Sequence, residues 1–137
     1  MFLGLGSNLG NREEHIRNAI TLIGERVGQV VRQSSLIETE PWGFESAHRF
    51  LNGVICCETT LTPHEVLKAT QQIERDMGKQ RQHATQRSKS AIYHDRPIDI
   101  DILLYDDLPI DEPHLKIPHP LMHERDFVMI PLKEITT

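Results

Sequence analysis

The chain has 137 residues, 38% of them hydrophobic and 26% charged, with a formal net charge of -5. That is the size of one ordinary domain, too short for a two-domain dehydrogenase or a TIM barrel. The composition fits neither a membrane protein nor a disordered acidic tail, and the acidic balance argues against a general nucleic-acid binder. No apolar run approaches the roughly 20 residues of a membrane span. The start, Met1-Phe2-Leu3-Gly4-Leu5-Gly6-Ser7, lacks a basic stretch and a small-residue cleavage site, so no signal peptide is expected. A single cytoplasmic domain over residues 1–137 is the expectation.

In chain order, Phe2 to Gly6 is a short apolar strand running into Gly6-Ser7-Asn8-Leu9-Gly10-Asn11, which is dense in turn formers. Asn11 is an N-cap, with Glu13 and Glu14 in the first turn. Ile16, Ala19, Ile20, Ile23 and Val27 recur at helical spacing, and Gly28 closes that helix near Arg26. Val30 to Glu38 reads as a strand, broken by Pro41-Trp42-Gly43-Phe44. Arg49 to Thr59 is a second, central strand. Pro63 then opens a helix behind Thr62; Glu65, taken as one residue past the third-position box site, adds negative charge to the first turn. Val66, Leu67, Thr70, Ile73 and Met77 mark its inner face, and Gly78 ends it.

Lys79 to Ala91 holds almost nothing apolar and reads as a mobile loop. Pro97 to Leu104 is the fourth strand. After Asp106-Asp107 the chain is irregular, with Pro109, Pro113, Pro118 and Pro120, until a helical or extended tail from Phe127 to Ile135. The order β-α-β-β-α-β predicts an α+β, ferredoxin-like fold: an antiparallel sheet with the helices on one face and active-site loops on the other. Cys56 and Cys57 are adjacent, so on a strand they point to opposite faces. They read as inert thiols, neither a disulfide nor a zinc site.

The sharpest chemical feature is Arg96-Pro97-Ile98-Asp99-Ile100-Asp101-Ile102-Leu103-Leu104. On a strand, Ile98, Ile100, Ile102 and Leu104 share one face while Asp99 and Asp101 share the other, about 7 Å apart along the backbone. Such a pair is either a solvated outer face or a ligand set for hard divalent cations, magnesium or manganese rather than zinc. A basic stretch lies just upstream: Arg75 to Arg96 carries a net +4, which leaves -9 on the rest of the chain. Carboxylates beside such cations suit polyphosphate chemistry. No G-x-x-x-x-G-K-[ST] loop is present, and Gly4-Leu5-Gly6-Ser7-Asn8-Leu9 fails the dinucleotide fingerprint at its last position. Pro118-His119-Pro120 through Arg125 sets an imidazole and a guanidinium on a stiffened segment, to donate to phosphate or to serve the structure. Thr39 to Phe44 together with Phe50-Leu51-Asn52 supplies rings and amides that either pack a core or sandwich a flat heterocycle.

Gly6-Ser7-Asn8-Leu9-Gly10, Thr39-Glu40-Pro41-Trp42-Gly43, Phe50-Leu51-Asn52, Arg96-Pro97-Ile98-Asp99-Ile100-Asp101 and Pro118-His119 through Phe127 occur in this order. Over residues 3 to 135 the chain closely resembles the 6-hydroxymethyl-7,8-dihydropterin pyrophosphokinase family. The resemblance implies pyrophosphate transfer from ATP to the pterin hydroxymethyl group, AMP leaving, as a step of tetrahydrofolate biosynthesis. It implies two Mg2+ ions held by Asp99 and Asp101, with Arg81 and Arg96 completing the catalytic set. Phe50 and Phe127 are implied as rings around the pterin, Asn52 as its recognising amide, and Thr39 and Trp42 as backbone contacts. Gln71, Glu74, Lys79, Arg96, His119 and Arg125 are implied as nucleotide or phosphate contacts. Lys79 stands where an arginine is expected, Tyr93 where a tryptophan is often found, and His94-Asp95 replaces a Gly-Pro type pair. The expected partners are the two small substrates, with no nucleic acid and no membrane. The chain is expected as a monomer, acting alone or beside dihydropteroate synthase. A non-catalytic ligand-binding module would need neither the paired aspartates nor the basic loop. An RNA-binding sheet would want aromatic residues where Val54-Ile55-Cys56-Cys57 stands.

Overall fold

In the computed structural model the described residues are 1–39, 49–78 and 97–136. Strand β1 (Phe2–Ser7) leads into helix α1 (Arg12–Arg26). The Asn11 side chain accepts a hydrogen bond from the Glu14 N–H at 3.1 Å, the cap that the turn-former run predicts. Gly28 follows the helix because the chain crosses β4 at close range there: a Cβ would stand 2.1 Å from the Glu58 carbonyl oxygen.

Val30 to Glu38 is not one strand. It divides into β2 (Gln29–Gln33) and β3 (Ile37–Thr39), both antiparallel to β4 (Phe50–Glu58). The break has a chemical cause at Ser34 and Ser35. The Ser34 hydroxyl accepts from the Val54 N–H at 2.8 Å, and both Ser35 N and Ser35 Oγ donate to Glu134, at 2.9 and 3.1 Å. The Ser34 N–H still donates to the Val54 carbonyl at 2.9 Å, but side-chain hydrogen bonds take over from the regular ladder around it.

Helix α2 (Pro63–Gly78) begins with a full capping box. Glu65 is itself the third-position residue, not one past it. Its carboxylate accepts from Thr62 N at 2.8 Å, and Thr62 Oγ1 accepts from Glu65 N at 3.2 Å. Strand β5 (Asp99–Leu104) starts two residues later than Pro97, which is already buried. The stretch after Asp107 contains a small hairpin, β6 (Ile110–Glu112) with β7 (Leu115–Ile117), too short for periodicity to announce. A single turn of 3-10 helix (Met122–Glu124) precedes helix α3 (Asp126–Thr136).

The main sheet runs β2-β4-β1-β5, with β3 beside β4, and its described strand pairs are all antiparallel. This is the expected ferredoxin-like frame. One face buries Leu3, Leu5, Ile55, Cys57, Ile100 and Ile102 against Ile16, Ala19 and Ile23 of α1 and Val66 and Ile73 of α2. The opposite face is not left to loops alone: Val54 and Leu103 pack there with Val128, Leu132 and Ile135 of α3. Pairing with β1 shifts between Phe2 and Leu3, so the alternation of β5 breaks and Leu104 joins Leu103 on the α3 side instead of following Ile102. Cys57 lies in the first core and Cys56 against the second, both as free thiols, and burial pushes the Cys57 thiol pKa up. Among the described residues no helix is long and apolar enough to cross a membrane.

Candidate functional site

The site forms where three strands run side by side on the face α3 leaves open. Gly6 of β1 lies opposite Asn52 of β4 on one side and Asp99 of β5 on the other, and Gly4 lies opposite Asp101. Two glycines in the middle strand leave a trough between the amide and the carboxylates. Phe50 and Phe127 stand over this trough, and Leu103 and Val128 close it beneath α3. A Cβ on Gly6 would sit 2.9 Å from Asn52 Oδ1 and 3.4 Å from the Phe50 ring, so only glycine leaves that amide its place.

Asn52 is only 5% exposed, and its orientation is fixed. Its Nδ2 donates to Thr39 Oγ1 at 2.8 Å, which leaves Oδ1 directed over Gly6 as the acceptor toward the trough. Thr39 is thereby placed by the hydroxyl that orients Asn52. Strand register brings it beside Phe50.

A second recess opens beyond the outer edge of β5, between Leu67 of α2, Lys116 on the hairpin and His119. Asp101 lines both recesses. The His119 backbone N–H donates to the Leu103 carbonyl at 3.1 Å, which ties its segment to the strand edge. Its Nδ1 accepts from Leu121 N at 3.3 Å, so the neutral ring carries its proton on Nε2. Burial lowers the His119 pKa and the nearby Arg125 charge lowers it further, while Asp99 opposes them. The imidazole is therefore neutral at pH 7 and offers one N–H donor. Arg125 ends the 3-10 turn and lays its guanidinium 5.5 Å from the centre of the Phe127 ring, a cation over an aromatic face.

Glu74 does something its place in the sequence did not announce. Its Oε2 accepts from the Ile100 N–H at 2.8 Å, on the backbone between the two aspartates. Among the described residues β5 is the last strand of the sheet, so this outward N–H meets no strand there, and α2 supplies the acceptor. Gln71 is exposed one turn earlier on the same helix. Of the expected site residues, the structure thus brings Phe50, Asn52, Asp99, Asp101 and Phe127 around one recess. His119 borders the second, and Arg125 joins the group through Phe127. Trp42, Lys79, Arg81 and Arg96, and the stretch from Lys79 to Ala91 expected as a mobile loop, lie outside the described residues. Lys116 and His114 border the second recess as well. Periodicity did not single them out, because their hairpin has strands of only three residues.

The family model of 7,8-dihydro-6-hydroxymethylpterin-pyrophosphokinase matches residues 2–137. The chain belongs to that family. A 2-amino-4-hydroxy-6-hydroxymethyldihydropteridine pyrophosphokinase of Porphyromonas gingivalis is 47% identical over 136 residues, covering 98% of this chain and 89% of the relative. Its counterpart in Bacillus subtilis is 39% identical over 135 residues, covering 98% and 76%. A mitochondrial folate synthesis bifunctional protein of Pisum sativum is 38% identical over 133 residues, which are 97% of this chain and 24% of that protein. This family member is accordingly a pyrophosphokinase of folate biosynthesis.

Proposed function

We propose that the chain transfers pyrophosphate from ATP to the hydroxymethyl group of 6-hydroxymethyl-7,8-dihydropterin and releases AMP. The observation that supports this most is the meeting of two unlike recesses at Asp101. One offers rings and a fixed amide to a flat heterocycle; the other offers imidazole and ammonium donors to a polyphosphate. The alcohol oxygen bonds to the β-phosphorus as the bridge to the α-phosphate breaks. Little covalent help is needed for this, and alignment with charge neutralisation supplies most of the rate.

Asn52 Oδ1 accepts from a ring N–H of the pterin, and Phe50 and Phe127 hold its faces. His119 donates from Nε2 to a phosphate oxygen, and Arg125 stabilises Phe127 while facing the same charge. Asp99 and Asp101 fit magnesium by donor type: two carboxylates with open space beside them suit a hard cation that completes its shell with water and phosphate. Two such ions would neutralise the triphosphate and polarise its oxygens. Arg81 and Arg96 complete the catalytic set and Lys79 the nucleotide contacts, while Trp42 supplies a pterin contact, as the family resemblance implies. The plant relative, a bifunctional folate-synthesis protein of which this sequence matches a quarter, supports a link between this reaction and a second activity of folate synthesis.

The deciding experiment is AMP release from Mg-ATP with and without the pterin alcohol. AMP that requires both pterin and magnesium supports the reaction and the carboxylate site together. Tight magnesium-dependent nucleotide binding without AMP points to a site that has lost its chemistry. No nucleotide binding at all overturns the reading.

A further inference from the structure

Arg12 touches neither recess, yet it joins the segments that frame the first one. It is the first residue of α1, reached from β1 through the Asn8–Asn11 turn. One arm of its guanidinium, Nη1, donates to the Arg49 carbonyl at 2.8 Å, just before Phe50. The other, Nη2, donates to Glu38 Oε2 at 2.6 Å, just before Thr39. Arg49 approaches the second oxygen of Glu38 at 3.8 Å. Thr39 and Phe50 are register partners, and Thr39 orients Asn52. A single planar fork therefore ties the end of β3, the start of β4 and the start of α1 at the rim of the trough.

We propose that Arg12 and Glu38 are positioning residues for the heterocycle, fixing the spacing between Thr39 and Phe50 on which the Asn52 amide depends. This inference rests on the pterin reading above. Arg12 and Glu38 are 30% and 44% exposed, and a pair so open to water contributes little to global stability. Its effect belongs in substrate binding. Charge alone is not expected to suffice, because an ammonium on a flexible stem does not hold a carbonyl and a carboxylate in the fixed geometry of the guanidinium fork.

The test measures steady-state AMP release by the full chain and by Arg12→Met, Arg12→Lys and Glu38→Gln, together with melting temperatures. Arg12→Met is expected to raise the pterin KM about tenfold, inside the hundredfold that a displacement of about 1 Å can cost. The ATP KM should stay within about twofold, with Arg12→Lys and Glu38→Gln intermediate. Unchanged pterin KM in both Arg12→Met and Glu38→Gln overturns the inference. A parallel rise of both KM values with a large drop in melting temperature also overturns it, since that is a merely structural role. If Arg12→Met does not fold, Glu38→Gln carries the same test. A wild-type chain that forms no pterin-dependent AMP overturns the underlying reading and this inference with it, an outcome distinct from wild-type activity with indifferent variants.

Discussion

Glu74 separates two accounts of the same side chain. The family resemblance makes it a nucleotide or phosphate contact, whereas the geometry places its carboxylate on the Ile100 N–H, between Asp99 and Asp101. Ile100 is 7% exposed, so Glu74→Ala leaves a poorly hydrated donor with nothing in its place. A hydrogen bond to a charged group contributes about 1.5–3 kcal/mol, and about 2 kcal/mol is a fair figure for this half-buried carboxylate. For a domain of this size that lowers the melting temperature by about 6–10 °C. Glu74→Gln keeps a neutral acceptor in the same place and should lose about half as much. The kinetic loss should follow the same order: if β5 is held by this bond, loosening it spreads the aspartates and weakens Mg-ATP before it affects the pterin. Thermal unfolding of the metal-free chain and Mg-ATP titration of the three proteins measure both quantities. If Glu74→Ala melts with the wild type yet no longer binds nucleotide, the carboxylate acts on the ligand directly and the strand-anchor argument fails.

Other consequences can be checked in the same assays. Gly6→Ala puts a methyl group 2.9 Å from Asn52 Oδ1, and overpacking of this kind costs about 1–3 kcal/mol; the pterin KM should rise while the ATP KM holds, and an unaltered pterin KM would refute the placement of the heterocycle. Asp99→Ala and Asp101→Ala remove half-exposed carboxylates, so melting should change little while AMP formation falls about 10²–10³-fold; normal turnover in either variant counts against the metal site. His119 has a folded-state pKa below its ordinary 6.5, so as pH falls the unfolded chain takes up the proton first. The stability linked to it is fully present above about pH 6.5 and is lost as pH falls through the lower folded value. His119→Asn should flatten that decline in the metal-free chain, and parallel pH profiles for the two proteins would exclude this source.

Local signals in the sequence were reliable where one residue decides the outcome. Asn11 caps α1, Thr62 and Pro63 open α2, and the Asp99/Asp101 alternation reads directly as a strand whose two aspartates line one recess. The misreadings share a different cause. The strand breaks at Ser34 and Ser35 because Val54 of β4 stands beside the first and Glu134 beside the second, and neither partner is near in sequence. The register shift opposite Phe2 and Leu3 moves Leu104 to the other face, which a strict period of two cannot anticipate. Helix α3 claims part of the open face because Val128, Leu132 and Ile135 need a partner surface, a requirement the β-α-β-β-α-β pattern does not contain. Gly4 reads as the interior of a strand and Gly6 as its junction with a turn, and neither position announces that both line the trough.

The outer edge of β5, which no other described strand pairs, ties these points together. A last strand with exposed N–H and C=O groups is ordinarily a liability, and a chain must cover it. Here the cover comes from Glu74 on Ile100 N and from the His119 backbone on the Leu103 carbonyl. The two segments that finish the strand therefore also bring Lys116, His119 and Leu67 to the border of the second recess, beside Asp101. The polar obligations of an edge strand and the placement of a charged substrate are met by the same contacts. A substitution that loosens the edge, as at Glu74, should on this argument weaken Mg-ATP and leave the trough beneath Phe50 and Asn52 in working order.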